Sequence, residues 1–246
     1  MNVLVTAGNT QVPIDRVRCL TNVFTGRTGA EVALSAHERG HSVTLLTSHP
    51  EVVTQLHGGP LASERWAVLP YRTFDELHHL MRGAVQPGGL DAVIHSAAVS
   101  DYLAGGIYAP APHTRFDPGS GRWEGDPPAL LDRAAGKVKS DEPELWLRLV
   151  RAPKLIDRVR PDWGFRGVLV KFKLEVGVED ARLLEIAERS RRHSSADLMV
   201  ANTLEGAGAY AYLGPVDGHY QRVERRDLAA RVVDVTERLL AERRDG

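Results

Sequence analysis

Two glycine turns stand close together near the start of the chain, Ala7-Gly8-Asn9-Thr10 and Thr25-Gly26-Arg27-Thr28-Gly29. The first follows a charge-free apolar run, Val3, Leu4 and Val5. The second opens a segment in which Val32, Ala33 and Ala36 recur at helical spacing. Glycine admits the positive φ that a sharp strand exit needs, and a helix start presents backbone N–H groups with no acceptor in the helix. With the hydroxyls of Thr25 and Thr28 and the Arg27 guanidinium beside them, these turns have the chemistry of phosphate binding. An ordinary strand-loop-helix with glycines for close packing has the same pattern. Neither turn spells Gly-x-x-x-x-Gly-Lys-Ser/Thr or Gly-x-Gly-x-x-Gly, so a Walker loop and the dinucleotide fingerprint are both excluded there.

Further groups share this region or recur downstream. Arg18 and Asn22 are four residues apart, and a helical turn would place them on one face. Arginine forks onto a phosphate or carboxylate, and an asparagine amide donates to a developing oxyanion. A solvated arginine beside a turn-forming asparagine is the plain alternative. The run His95-Ser96-Ala97-Ala98-Val99-Ser100-Asp101 leaves an apolar strand. Its small residues let a base or acyl chain approach the backbone, and Asp101 could hold a ribose hydroxyl or a magnesium ion, or cap a helix. Lys137 and Lys139 close a glycine- and proline-rich stretch and could carry ammonium groups onto a polyphosphate, or simply be solvated. Phe172 ends a strand where it stacks on a base or fills core, and Asn202 ends another. The histidines show no metal spacing, and no Gly-x-Ser-x-Gly elbow is present.

The elements that must position these groups alternate. Strands are expected at residues 2–6, 42–47, 66–69, 91–95, 145–150, 168–172 and 197–201, with helices from Ala30 to near Gly40, at 74–82 and at 181–192. A hairpin is expected from residues 209–213 and 220–223, turning at 214–218, and a final helix starts at Asp227. The expectation is an α/β fold, a Rossmann-like doubly wound and mostly parallel sheet with a C-terminal hairpin and helix. The whole chain, 1–246, reads as a single nucleotide-binding domain. Residues 104–136 break the rhythm with glycines and prolines and support no assignment, so about 104–139 is expected to be a flexible flap.

Net charge is −1, which argues against a nucleic-acid surface or an anionic membrane as partner. The single cysteine, Cys19, excludes an internal disulfide and a cysteine-rich metal site. No signal peptide and no apolar run of membrane-spanning length is present, so a soluble cytoplasmic protein is expected.

Taken in order, Thr6-Ala7-Gly8-x-Thr10, Pro13-Ile14-Asp15, Val17-Arg18-x-x-x-Asn22, Gly26-x-x-Gly29, Ala97-Ala98-Val99-Ser100-Asp101-Tyr102, Lys137-x-Lys139, Pro153-Lys154-Leu155, Phe172-Lys173-Leu174-Glu175 and Val200-Ala201-Asn202 resemble the phosphopantothenoylcysteine synthetase (phosphopantothenate–cysteine ligase) family of coenzyme A biosynthesis. The resemblance implies a Rossmann-like fold, a homodimer, and a two-step ligase. In the first step 4′-phosphopantothenate attacks ATP or CTP, with Mg2+, to give an acyl-nucleotide and pyrophosphate; cysteine then attacks the acyl carbon. It implies catalytic roles for Asn22 at the acyl carbonyl, Lys137 in nucleotide activation and Arg18 at the substrate phosphate. Nucleotide contacts fall to Gly8, Thr10, Thr25, Gly26, Gly29, Ala97, Ala98, Asp101, Phe172 and Lys139, and substrate contacts to Arg18, Asn22 and Ala98. Metal ligands are left unassigned. Three departures stand out: Thr25 in place of a serine, Asn9 where Gly or Pro is usual, and a long stretch between Tyr102 and Lys137. The expectation is a stand-alone ligase without the flavin-dependent decarboxylase domain. The alternatives are an NAD(P)-dependent reductase, which the absence of any Tyr-x-x-x-Lys pair disfavours, and a non-catalytic nucleotide-binding module.

Overall fold

The computed structural model describes residues 1–245. Their contacts divide the chain into two compact units, where the sequence suggested one domain: residues 1–10, 23–99 and 154–245 form the first, and 11–22 with 100–153 the second.

The larger unit is built on one sheet of eight strands. These are β1 (Asn2–Ala7), β4 (Ser42–Thr47), β5 (Trp66–Pro70), β6 (Ala92–His95), β12 (Val168–Glu175), β13 (Leu198–Thr203), β14 (Tyr210–Val216) and β15 (His219–Glu224). Across the sheet the order is β15-β14-β13-β12-β6-β1-β4-β5. From β13 to β5 all neighbours are parallel, and β14 and β15 close one edge antiparallel. Parallel strands covered on both faces read as continuous apolar runs, and Val3 to Ala7 are all buried. One face, with Val3, Val5, Ile94, Val170 and Val200, packs on Ala30, Ala33 and Ala36 of α1 (Arg27–Glu38) and on Leu228, Val232 and Val235 of α5 (Leu228–Asp245). On the other, Met199 and Ala201 pack against Leu183 and Ala187 of α4 (Asp180–His193). The helix α3 (Phe74–Val85) starts in a full capping box, Thr73 with Glu76. It buries Phe74, Leu77, Met81 and Val85, one face at the helical repeat.

The short helix α2 (Pro50–His57) had no counterpart among the expected elements. It buries only Val53, too thin a stripe to show as periodicity. The C-terminal hairpin turns at Asp217-Gly218, both at positive φ, with a register shift between Leu213 and Val216. That is later and tighter than the glycine and proline spacing indicated.

In the smaller unit, β2 (Gln11–Pro13) pairs antiparallel with β3 (Cys19–Thr21), and β8 (Arg115–Asp117) with β9 (Arg122–Glu124). A three-stranded sheet runs β10 (Leu130–Asp132), β7 (Tyr102–Pro110), β11 (Trp146–Arg151). Two expectations are corrected here. Arg18 and Asn22 flank a strand and not a helical turn, because the Asp15 carboxylate accepts the N–H groups of Val17 (2.9 Å) and Arg18 (2.8 Å) and closes a hairpin. The glycine- and proline-rich stretch, which supports no assignment from sequence, holds β7 to β10. Its glycines serve packing: a Cβ on Gly105 would stand 2.8 Å from Val150 Cγ1, and one on Gly106 2.8 Å from Tyr108 Cε2. Phe116, Trp123 and Trp146 form an aromatic cluster with ring centroids 4.7–5.3 Å apart, which gives the inserted hairpin a small core of its own.

Candidate functional site

The chain leaves β1 through α1 to β4 on one side, while β6 lies on the other side of β1. Such a reversal opens a crevice at the carboxyl ends of the strands, where open α/β sheets bind ligands. Gly8, at φ 88°, turns the chain out of β1 at that point. The turn is fixed on both sides. Ala98 N–H donates to the Gly8 carbonyl at 2.8 Å. Asn9 N–H donates to Ser48 Oγ at 2.8 Å, which in turn donates to Asn9 Oδ1 at 3.0 Å. Tyr71 donates its phenol to the Ala7 carbonyl at 2.7 Å, and burial raises that phenol above its ordinary range, so it stays a donor. Asn9, where the resemblance suggested Gly or Pro, thus supplies side-chain contacts that those residues lack.

The second glycine turn packs directly on the first. Gly26 is the N-cap of α1 in the left-handed conformation (φ 77°, ψ 19°), with no side-chain cap and no acidic residue in the first turn. A Cβ on Gly26 would overlap the Gly8 nitrogen and stand 2.6 Å from Gly8 Cα, and one on Gly29 would stand 2.7 Å from Ala7 Cβ. Only glycines let α1 begin this close to the exit of β1. The helix therefore brings its positive end and its uncapped N–H groups to the crevice.

A cavity of about 300 Å³ lies there. Its lining includes Gly8, Thr25, Gly26, Gly29, Ala97, Ala98 and Phe172 of the residues selected from sequence, so these seven are brought together. Thr10 is fully buried and is not part of the lining. The wall continues through Phe24, Thr28, Asn202, Ala207, Ala211, Arg225 and Leu228. Arg225, Ala207, Ala211 and Leu228 were not singled out from sequence, since nothing in an Arg-Arg pair or in scattered alanines signals a pocket. No carboxylate of the described residues lines the cavity. Among the described residues no group of three or more His, Cys, Asp and Glu side chains is placed to hold a metal ion.

Behind the Ala97-Ala98 wall, Thr6 Oγ1 is 2.8 Å from His95 Nδ1 and accepts Ala97 N–H at 3.3 Å. The Thr6 hydroxyl therefore ties the imidazole to the backbone of the wall. Burial, reinforced by the nearby Lys171 charge, pushes the His95 pKa down to about 4, so the imidazole is neutral. Lys171 is itself buried, donating to Ser194 Oγ and to the Ser190 carbonyl, and burial lowers its pKa.

The remaining selected residues, Arg18, Asn22, Asp101, Lys137 and Lys139, lie in the smaller unit. The Asp15 side chain is fully enclosed, and its carboxylate accepts from Arg18 Nη2 at 2.7 Å and from Val138 N–H at 3.0 Å. The Arg18 guanidinium first, then the backbone donors, holds this carboxyl well below the usual carboxylate range. Arg18 Nη2 also donates to the Val138 carbonyl at 2.9 Å. Val138 is buried, so this anchor holds Lys137 and Lys139 to either side, and the two lysines line a cavity of about 550 Å³ with Val17 and Arg18. Asn22 and Asp101 are not in its lining.

Comparison with known proteins agrees with this architecture. Residues 1–108 match the family model described as DNA/pantothenate metabolism flavoprotein C-terminal domain. The coenzyme A biosynthesis bifunctional protein CoaBC of Thermococcus kodakarensis is 30% identical over 244 residues, 97% of this chain and 51% of that protein. Human phosphopantothenate–cysteine ligase is 21% identical, over 97% of this chain and 83% of that protein. The chain spans about half the length of the archaeal bifunctional relative and 41% of the Escherichia coli one. Among solved structures, the DNA/pantothenate metabolism flavoprotein of Streptococcus pneumoniae superimposes with a TM-score of 0.74 at 23% identity, covering 98% of this chain and 99% of that one. A Cab2 mutant in complex with phosphopantothenate-cysteine gives 0.68 at 17% identity, covering 98% and 86%. These two share the fold of this chain.

Proposed function

We propose that the protein is a phosphopantothenate–cysteine ligase that activates 4′-phosphopantothenate with ATP or CTP and couples it to cysteine. The observation that carries this reading is the uncapped start of α1, held by Gly26 and Gly29 against the exit of β1 and open to a cavity without a carboxylate. That cavity suits an anion at the helix end and a planar base against Phe172, Ala207 and Leu228. The human relative named for this activity, and the archaeal relative named for coenzyme A biosynthesis, support the choice of substrates.

A carboxylate acylates an amine only after one of its oxygens has become part of a leaving group. The carboxylate of 4′-phosphopantothenate attacks the α-phosphorus, the bond to the bridging oxygen breaks, and pyrophosphate leaves. The cysteine amine then attacks the acyl carbon, gives up a proton, and expels the nucleoside monophosphate as the amide forms. Donors fixed in advance serve both steps, since negative charge moves twice without solvent reorganisation. In the larger unit Gly8, Thr25, Gly26, Gly29, Ala97, Ala98 and Phe172 are assigned to the nucleotide, with Ala98 also at the acyl group, and Thr10, buried outside the lining, is left out. For the smaller unit the family resemblance assigns Asp101 and Lys139 to the nucleotide, Lys137 to charge on the transferred phosphate, Arg18 to the substrate phosphate and Asn22 to the acyl group. The donor set of the cavity fits a triphosphate, and Mg2+ would enter with the nucleotide, held by its phosphate oxygens and by water, and would offset phosphate charge. A homodimer in a reducing cytoplasm completes the reading, the exposed thiol of Cys19 being suited to that compartment.

The test is incubation with Mg2+, 4′-phosphopantothenate and ATP or CTP, with and without cysteine, following pyrophosphate and ligated product. Product that requires cysteine is expected with one nucleotide. Absence of pyrophosphate with both would overturn the reading.

A further inference from the structure

Arg225 lies in the wall of the cavity and is positioned from two directions. Its N–H donates to the Ala209 carbonyl at 2.8 Å, fixing the backbone between the C-terminal hairpin and α5. Its Nη2 donates to Thr28 Oγ1 at 3.0 Å and to Glu31 Oε2 at 2.6 Å. Thr28 is the second residue of α1, so the guanidinium stands one hydrogen bond from the helix start. Both hydrogen bonds of this side chain come from Nη2. Among the described residues, its Nε and Nη1 donors are left for a further acceptor.

The second observation is the balance of charge around Glu31. Its other oxygen, Oε1, accepts from Arg27 Nε at 3.0 Å, and Arg27 also lines the cavity. One carboxylate therefore serves two guanidiniums and leaves one positive charge uncompensated beside uncapped backbone donors. The Arg225–Glu31 pair is about three-quarters shielded, with side chains 21% and 25% exposed, so its charges are only weakly screened. Lys173, the other cation of the wall, has a carboxylate of its own, Glu175 at 2.8 Å.

We propose that Arg225 is a further phosphate-binding residue of the nucleotide site, held ready by Glu31 and Thr28 and turning its free donor edge to the phosphate chain at the start of α1. The proposal rests on the nucleotide reading of the cavity. Glu31 acts as a brake in this arrangement: it orients Arg225 and, by neutralising part of the charge, limits how tightly the anion is held.

Two variants test this, each by nucleotide KM and by calorimetric titration with tripolyphosphate, a probe that needs no turnover. Arg225→Gln is expected to raise the nucleotide KM and the tripolyphosphate Kd about tenfold, the usual effect of losing a charge-assisted hydrogen bond. KM for 4′-phosphopantothenate and Tm should stay near the parent values. Glu31→Gln is expected to tighten tripolyphosphate severalfold, which loss of a purely structural pin would not do. An unchanged tripolyphosphate Kd in Arg225→Gln, or a fall in Tm with all KM values rising together, overturns the proposal. A parent protein that makes no ligated product, yet binds tripolyphosphate more weakly after Arg225→Gln, keeps the anion role and rejects the ligase reading.

Discussion

In the parallel-sheet unit every residue of β1 from Val3 to Ala7 is buried, whereas in the smaller unit all three residues of β3 and all three of β10 are exposed. The larger unit holds its candidate ligand groups through backbone geometry: glycine corners, a helix start, and neutral side chains such as Thr6 and His95 behind the wall. The smaller unit holds its groups through one enclosed carboxylate and the donors that converge on it. Glycine corners placed by a packed sheet have no freedom to rearrange. A carboxylate anchor depends on protonation and on a handful of hydrogen bonds, which suits a segment that must be positioned without a deep core.

The largest expected effect is therefore a steric one in the larger unit. Gly26→Ala puts a methyl into the Gly8 backbone at a residue with φ 77°. Overpacking and left-handed strain together predict a loss of about 3–4 kcal/mol. Urea unfolding of the parent and variant measures it. A loss under about 1 kcal/mol would mean that the contact between the two glycine turns is not rigid, and the contrast with the smaller unit would fall.

A pH effect comes next. Burial holds His95 neutral, with a pKa of about 4 in the fold against 6.5 for the free group. The unfolded chain binds the extra proton first, so the stabilisation is complete above pH 6.5 and is lost as the pH falls towards 4. At about 1.4 kcal/mol for each tenfold change in proton affinity, the loss reaches up to about 3 kcal/mol below pH 4. His95→Asn removes this titration whatever it does to absolute stability. His37 and His78, also lowered by burial, titrate equally in parent and variant. The measurement is the difference in unfolding free energy between the two proteins across pH 4–7. A difference independent of pH would show that His95 is not held neutral.

The same contrast explains what could be read from the sequence. β4 (Ser42–Thr47) has the bounds that its alternation of apolar and small residues predicts, and β1, β5, β6, β12 and β13 differ from expectation by a few residues at their ends. Burial on both faces leaves a continuous apolar signal. In the smaller unit the strands are short, exposed, or rich in glycine, and Gly105-Gly106 reads as a break although it packs against Val150 and Tyr108. The hairpin around Asp15 is set by side-chain acceptance of backbone N–H groups, which spacing alone does not distinguish from a helical turn. At the site, Gly8, Gly26 and Gly29 were legible because a turn and a helix start require them. Arg225 was not, because its place depends on how the C-terminal hairpin returns to α1, a contact between residues 197 positions apart.

The smallest expected effect tests the anchor of the smaller unit. Asp15→Asn keeps the size of the side chain but removes the charge that Arg18 pairs with. It also turns an NH2 group towards donors, so at least one of the Arg18 and Val138 contacts must open. Because Val138 belongs to a unit with little core of its own, the loss should appear as local opening. Hydrogen exchange at the Val138 amide is expected to speed up about tenfold or more, while the urea midpoint of global unfolding stays near that of the parent. In the parent, the carboxyl is held well below its ordinary range by Arg18, so the contact outlasts an ordinary aspartate as acid is added. Protection of Val138 should persist at pH 4, where an ordinary aspartate is already partly protonated, and should be lost only as the pH falls through the depressed value. If protection disappears by pH 5, or if Asp15→Asn costs as much as Gly26→Ala, the carboxylate is not a local anchor. The smaller unit would then be held as tightly as the glycine corners are.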